Sequence, residues 1–445
     1  WVCVMGASSQ MNARDGARLA CRVVCCRAVC CLVVFGLAVP AHAGLDLRLK
    51  AFTSQINVPR DDVRGSIADD PLQSNALDVR TLFSAGNQGW QFSFDHTALL
   101  LSGDTVALGG NRALDPAPVD DDARRFDLTW MVDTGPDHQI LHRLDRLVLD
   151  YRGADWGVAV GRQAVSWGSG IVFQPLELFA PFAPTTVDRD YKPGEDVLVV
   201  DRLFADGSDL QALSVFRRDE AGRADADAGS LGARWHRAFG AGEIEWLGGR
   251  HVGDTVLGVS IRHPAGGAMV RAEALATETE SGERYISALL NMDYSLAFRG
   301  RNVYVFGELY RNGFGVASDR VDLARLPARL QVRLRRGEVL NLQRHYAALG
   351  GNVEWHPLVT QSLTLISSLD DGSVLAQGEL RWSASDALRV DVGALVSMGS
   401  RGYEFGALPV PGPDVTAAQS NAGSAPTLGG GRSLYLRLVW FGRVR

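Results

Sequence analysis

The chain lacks cysteine where a disulfide would count, has almost no lysine, and after residue 43 has no apolar run of helical membrane-spanning length. All six cysteines (Cys3, Cys21, Cys25, Cys26, Cys30 and Cys31) fall within the first 31 residues, so disulfides and thiolate metal sites are excluded beyond them. Lys50 and Lys192 are the only lysines. With no stretch of 18 apolar residues after Ala43, a transmembrane helix is excluded there too. The histidines beyond that point are scattered, and no pair has the spacing of a helical zinc site. A serine nucleophile needs a base and an orienting third group, and nothing beside His96 and Ser102 supplies both. No enzyme, cofactor or metal is expected.

What is present begins with a distinct leader. Met11 reads as the start, followed by Arg14, Arg18, Arg22 and Arg27, an apolar run over 28–39 and "AHA" ending at Ala43. A basic region, about a dozen apolar residues and an A-x-A site make a cleaved secretory signal peptide. The organisation expected is a signal peptide over 1–43, its first ten residues an over-extended start, and one domain over 44–445. Residues 1–43 hold four arginines and one aspartate of the chain's 45 basic and 51 acidic residues, which leaves 41 and 50 and a net charge of −9. That sign argues against nucleic acid as a partner, because phosphate wants a basic surface.

The recurring signal in that domain is period two. In "VLAQGELRW", Val374, Ala376, Gly378, Leu380 and Trp382 share one face, while Gln377, Glu379 and Arg381 take the other. The same split sets Leu388, Val390, Val392, Ala394 and Val396 against Arg389, Asp391 and Gly393, and Val270, Ala272 and Ala274 against Arg271 and Glu273. Alternation alone fits any half-buried antiparallel strand. Turn lengths discriminate further. Short breaks stand at 153–155, 205–208, 240–242, 263–267, 299–302, 356–361 and 383–386, while the long breaks 166–196, 312–343 and 397–432 all fall on the opposite side. Short inner turns and long outer loops are the asymmetry of an outer-membrane barrel.

From about Arg143 this scheme gives 15 strands. Upstream candidates are 45–52, 75–83 and 90–100, with "GNQG" at 86–89 a hairpin turn, and 126–132 is read as part of an outer excursion. The fold class expected is therefore all-β: a transmembrane, antiparallel, up-and-down barrel of about 18 strands, with 16 as the alternative. Barrel closure satisfies every edge in lipid.

The break beginning near 166 is rich in Pro and Phe (Phe173, Pro175, Phe179, Pro181, Phe182, Pro184) and then turns charged at "DRDYKPGED". A stiff amphipathic stretch of this kind is expected to fold into the lumen and filter solutes by size and charge. Its candidate residues are Arg162, Trp167, Asp188, Arg189, Asp190, Lys192, Glu195 and Asp196. Strict alternation through Trp156, Val158 and Val160 would send Arg162 outward, so either Gly161 forms a bulge that re-aims it into the lumen, the expectation preferred here, or Arg162 lies at the interface. The candidate lumen charges are Arg271, Glu273, Glu379, Arg381, Arg389 and Asp391. Asp115, Asp120, Asp121 and Asp122 read as a solvated acidic loop, with a divalent cation shared with lipopolysaccharide as the sharper alternative. Six arginines between Ser318 and Gly337 would meet lipopolysaccharide phosphates or attract anions.

"GRQ" at 161–163, Trp167, Gly170, Phe173, "PF" at 181–182 and "YKPGED" resemble a group of porin-like outer-membrane β-barrel proteins of Gram-negative bacteria. "RHY" at 344–346, "HPL" ending at Leu358, "LDDGS" at 369–373 and "EFG" at 404–406 extend the likeness, which covers roughly 143–406. The resemblance implies a barrel. The function expected is a porin-like channel for small hydrophilic solutes across the outer membrane. The alternative is a non-conducting barrel that binds an envelope export partner or a surface ligand. Expected partners are outer-membrane lipid and lipopolysaccharide, the barrel-assembly machinery, a small solute and a second copy of the chain.

Overall fold

The computed structural model describes residues 42–66, 70–109, 121–184, 186, 190–219, 221–410 and 426–444. Residues 1–41 of the expected signal segment lie outside the described residues. In chain order the strands are β1 (His42–Asn57), β2 (Leu72–Asn87), β3 (Trp90–Gly103), β4 (Thr129–Thr134), β5 (His138–Arg152), β6 (Trp156–Gln163) and β7 (Glu195–Leu203). They continue with β8 (Asp209–Arg218), β9 (Ala224–Phe239), β10 (Gly242–His251), β11 (Asp254–Ala265), β12 (Ala268–Glu278), β13 (Arg284–Phe298) and β14 (Arg301–Arg311). The last are β15 (His345–His356), β16 (Val359–Ser368), β17 (Val374–Ser383), β18 (Leu388–Met398), the two-residue β19 (Leu408–Pro409) and β20 (Thr427–Leu428), and β21 (Arg432–Val444).

Every ladder of the wall is antiparallel between chain neighbours, and β21 returns to pair with β1. Leaving out β4, β19 and β20, eighteen strands close the cylinder. Eight short connections (88–89, 153–155, 204–208, 240–241, 266–267, 299–300, 357–358 and 384–387) sit at one end, and the long ones at the other. The parity of the sequence decides which side chain goes where. Leu257, Leu349 and Leu434 point outward and are 64%, 63% and 64% exposed, a surface that water does not tolerate over a whole wall. Near the short-turn end Trp90, Trp156, Trp355 and Trp382 also face out, as an aromatic girdle at a membrane interface does. On β3 the outward stripe from Trp90 to Leu100 covers ten residue steps, about 33 Å of strand, which a tilt of about 40° reduces to a band about 25 Å high.

The wall is not uniform. β6 stops at Gln163, with Arg162 opposite Leu147, while β5 runs nine residues further to His138, about 30 Å of strand. The edge of β5 left open above β6 is filled by β4, from Thr129 opposite Arg143 to Thr134 opposite Gln139. The segment before β4 continues the patch across to β8, where Arg124 bridges to Arg217. Part of the expected excursion 126–132 is thus built into the wall as an extra strand. Because β6 and β7 are short, the connection 164–194 leaves the wall far below the outer rim and enters the lumen directly.

Candidate functional site

The first half of the 164–194 connection lies along the inner wall from β7 to β17. Val165, Trp167, Leu176 and Phe179 pack on the inward Val197, Val199, Leu213, Val215, Leu247, Val256 and Leu275. Val172 and Phe173 pack on Leu289, Phe306, Tyr346, Ala348, Ile366 and Leu375. Room is made by small wall residues: a methyl on Gly232 would meet the Trp167 ring at 3.2 Å, and one on Gly258 would meet Leu176 at 2.7 Å. Phe173 stacks on Tyr310 with ring centroids 4.6 Å apart and tilts against Tyr346 at 5.3 Å. Trp167 donates its indole N–H to Gln211 Oε1 at 2.8 Å.

A loop buried this way must satisfy its backbone, and the wall supplies acceptors. Glu308 of β14 accepts the N–H groups of Ile171, Val172 and Phe173 at 2.9, 3.1 and 2.6 Å, and Asn291 Nδ2 at 2.9 Å. Glu273 of β12 accepts the Ser169 N–H, and its hydroxyl at 2.7 Å. Inside the loop, Lys192 Nζ donates to Val165 O (2.5 Å) and Ser166 Oγ (3.0 Å) and pairs with Glu177 (2.7 Å), closing the two ends of the excursion on each other. Burial pushes Glu177 up to about 7, with Lys192 opposing the shift.

The second half carries charge to the opposite wall. Tyr191 lies against two guanidiniums, Arg80 of β2 at 3.5 Å and Arg146 of β5 at 4.5 Å from its ring centre, and donates its hydroxyl to Asp95 of β3. Asp190 Oδ2 accepts from Arg48 of β1 and Arg389 of β18, each at 2.5 Å. Burial works against its charge, but Arg389 first, then Arg48 and Arg437, hold its pKa below the ordinary carboxylate value. Behind Asp190, Asp391 accepts from Arg381 (3.1 Å), Arg389 (3.1 Å) and Arg437 (2.8 Å), and Glu379 from Arg381 (3.0 Å) and Tyr435 (2.9 Å). This inner face sets Arg48, Lys50, Arg381, Arg389 and Arg437 against the wall carboxylates Asp78, Glu379 and Asp391, a surplus of two positive charges that Asp190 halves.

The expected residues therefore divide. Trp167, Asp190 and Lys192 lie in the lumen-crossing loop, whereas Asp188 and Arg189 fall outside the described residues. Glu195 and Asp196 belong to β7 rather than to the loop: Glu195 faces in and pairs with Arg217 at 2.8 Å, while Asp196 faces the other way.

Arg162 requires a correction. Both ladders run through Gly161 without a slip, so there is no bulge, and Arg162 stays on the outward side with Val160. The wall patch covers it. Arg162 is 2% exposed, bonded to Asp196 (2.8 and 3.0 Å), Asp121 (3.0 Å) and Phe126 O (2.6 Å). It seals the seam between the short β6–β7 pair and the inserted segment. Gly161 is needed for its φ of +127° and because a methyl there would lie 2.0 Å from Leu147 O.

Of the lumen charges, Glu379, Arg381, Arg389 and Asp391 form the network above. Arg271 pairs with Asp293 and with Asn291 at 2.8 Å, and Glu273 is buried beneath the loop. Asp121 is engaged by Arg124 and Arg162, while Asp115 and Asp120 lie outside the described residues. Among the six outer arginines, Arg333 is buried on Asp254 and Glu338, and Arg329 pairs with Glu283 at 3.1 Å. Arg48, Arg80, Arg146, Tyr191 and Glu308 escaped sequence reasoning. Their signal was weak, since each is one polar residue in an alternating strand or loop, and only closure brings strands 1, 2, 5, 14 and 18 around one loop.

The distant motifs converge. Asp370 of "LDDGS" accepts the Arg344 and His345 N–H groups of "RHY" at 2.9 and 2.8 Å, and Asp371 accepts the Glu404 N–H of "EFG" at 2.7 Å. Glu404 accepts from Leu342 N (2.9 Å), Gln343 N (2.8 Å) and the Tyr346 hydroxyl, and burial raises it to about 7. Among the described residues no group of three His, Cys, Asp or Glu is placed to hold a metal, and no helix is long and apolar enough to cross a membrane.

No protein-family model and no curated sequence matches the chain. Solved structures do. The chain is similar to a BenF-like porin from Pseudomonas fluorescens Pf-5 (12% identity, TM-score 0.51, 92% of this chain and 100% of that one). It is similar also to Pseudomonas aeruginosa OpdK with vanillate (10% identity, TM-score 0.51, 92% and 100%) and to Pseudomonas aeruginosa OccK5 (8% identity, TM-score 0.52, 91% and 98%). At these identities the likeness establishes the fold, the closed 18-stranded barrel of outer-membrane porin structures.

Proposed function

We propose that the chain is an outer-membrane channel through which small hydrophilic solutes, anions ahead of cations, cross without covalent chemistry. The observation that carries this reading is the 164–194 connection, docked on the wall from β7 to β17 and reaching β1, β2, β3, β5 and β18 with its charged end. Such a crossing narrows the lumen to a gap lined by the arginine-rich face, where field lines concentrate and anions are enriched. A barrel of the same architecture holding vanillate, a small organic anion, fits that preference. Asp188 and Arg189 belong to the same charged tip and are part of the filter. Residues 1–43 act as the cleaved export signal, the barrel-assembly machinery inserts the domain, lipopolysaccharide meets its outer rim, and copies associate laterally.

Single-channel recording in planar bilayers tests the reading. Folded protein should give discrete current steps, with a reversal potential in a potassium chloride gradient displaced toward chloride. Absence of current from well-folded barrels, with or without the loop undocked, would move the assignment to the second reading, a closed barrel that binds an envelope partner. The observation that favours that second reading is the docking of the described loop residues on both walls.

A further inference from the structure

The contact between Asp190 and the two arginines has the chemistry of a bound ligand. The bonds from Arg48 and Arg389 fall on one oxygen, Oδ2, so a single carboxylate atom is shared by guanidiniums that arrive from β1 and β18, on either side of β21. A guanidinium pairs best with a carboxylate through two parallel bonds, and here neither does. Arg48 Nε is buried and has no acceptor among the described residues. Tyr191, the next residue, is fixed by Arg80, Arg146 and Asp95, so its position does not depend on Asp190. Arg389 has a second partner in Asp391 at 3.1 Å, and would remain in place if Asp190 left.

We propose that Asp190 is a tethered competitor: its carboxylate occupies the Arg48–Arg389 anion site and holds the gap shut until the carboxylate of an entering solute displaces it. This rests on the reading of the lumen as a solute path. A solute carboxylate that can turn freely reaches Arg48 Nε as well as the Nη atoms, which Asp190 does not, and so replaces two single bonds by a bidentate contact. Displacement costs the loop little, because its apolar half stays docked on the far wall. Anionic solutes thereby open their own path, and neutral solutes of the same size do not.

The test is single-channel recording of the full mature chain in potassium chloride with benzoate as probe and benzamide as the uncharged control of equal shape. Wild type should rest at low open probability and open several-fold more often with benzoate, with no response to benzamide. D190N should rest open, with conductance raised several-fold, a stronger chloride preference and no further response to benzoate. The double variant R48A/R389A, which frees Asp190 from the other end, should also rest open but with its chloride preference lost. Equal response of wild type to benzoate and benzamide overturns the proposal, as does a D190N channel with wild-type conductance and wild-type benzoate response. Should D190N fail to assemble, the double variant decides alone: resting conductance equal to wild type overturns the proposal. F173A, with the apolar anchor removed, separates this failure from that of the channel itself. Current from F173A with no change in the Asp190 or arginine variants sinks only the competitor, whereas silence from every assembled variant sinks both.

Discussion

The two sides of the lumen hold the same loop by different physics. From β7 to β17 the wall is apolar where the loop lies, and contact is made by rings and aliphatic side chains with buried carboxylates collecting backbone N–H groups. From β18 around to β5 the wall is a lattice of arginines and carboxylates, and contact is made by Asp190 and Tyr191. Burial of apolar surface has no alternative partner in water, so the first side is a permanent anchor. Ion pairs exchange readily with other anions, so the second side is where a solute can compete.

This contrast can be broken at the anchor first. F173A should cost about 3–5 kcal/mol of docking energy, as truncation of a buried Phe does, and release the loop into a wide, weakly selective pore. Conductance raised well beyond that of D190N is the outcome expected in bilayers, and a pore of wild-type size would show that the aromatic side does not anchor. E308Q is gentler. It keeps the shape but removes the charge that three loop N–H groups bond to, a loss of about 2 kcal/mol, visible as faster amide exchange at residues 171–173 with the barrel intact.

The smallest effect expected is that of pH. Burial raises Glu177 to about 7 in the docked loop, above the ordinary carboxyl value, so the docked state binds more protons than the undocked one between about 4.5 and 7. Its contribution is fully present below the ordinary carboxyl pKa and is lost as pH rises through the raised one. Loop docking should therefore be tighter at pH 5.5 than at pH 8, by at most about 2 kcal/mol. Hydrogen exchange at residues 165–176, corrected for intrinsic rates, measures this, and E177Q should flatten the dependence.

Much of the wall could be read directly from the chain. The alternation at Leu380, Trp382 and Val392 against Glu379, Arg381 and Asp391 states which residue meets lipid and which meets water, and the lengths of the breaks state which end is which. The candidate site was legible only on one of its two faces. "DRDYKPGED" announces a charged tip, but its partners Arg48, Arg80 and Arg389 come from strands separated by more than 300 residues, and no local pattern links them. Arg162 shows the limit from the other direction. Alternation placed it on the outward face correctly, and the inference that an outward guanidinium must be re-aimed failed because a distant segment, 121–128, was there to cover it.

Period and turn length thus belong to the sequence itself, since side-chain parity along a strand and the reach of a short turn are local properties of the backbone. The sequence also yields the count of about 18 strands, whereas the insertion of β4 and the pairing of Asp190 with β1 and β18 belong to closure, which fixes neighbours far apart in sequence by requiring that every edge find a partner.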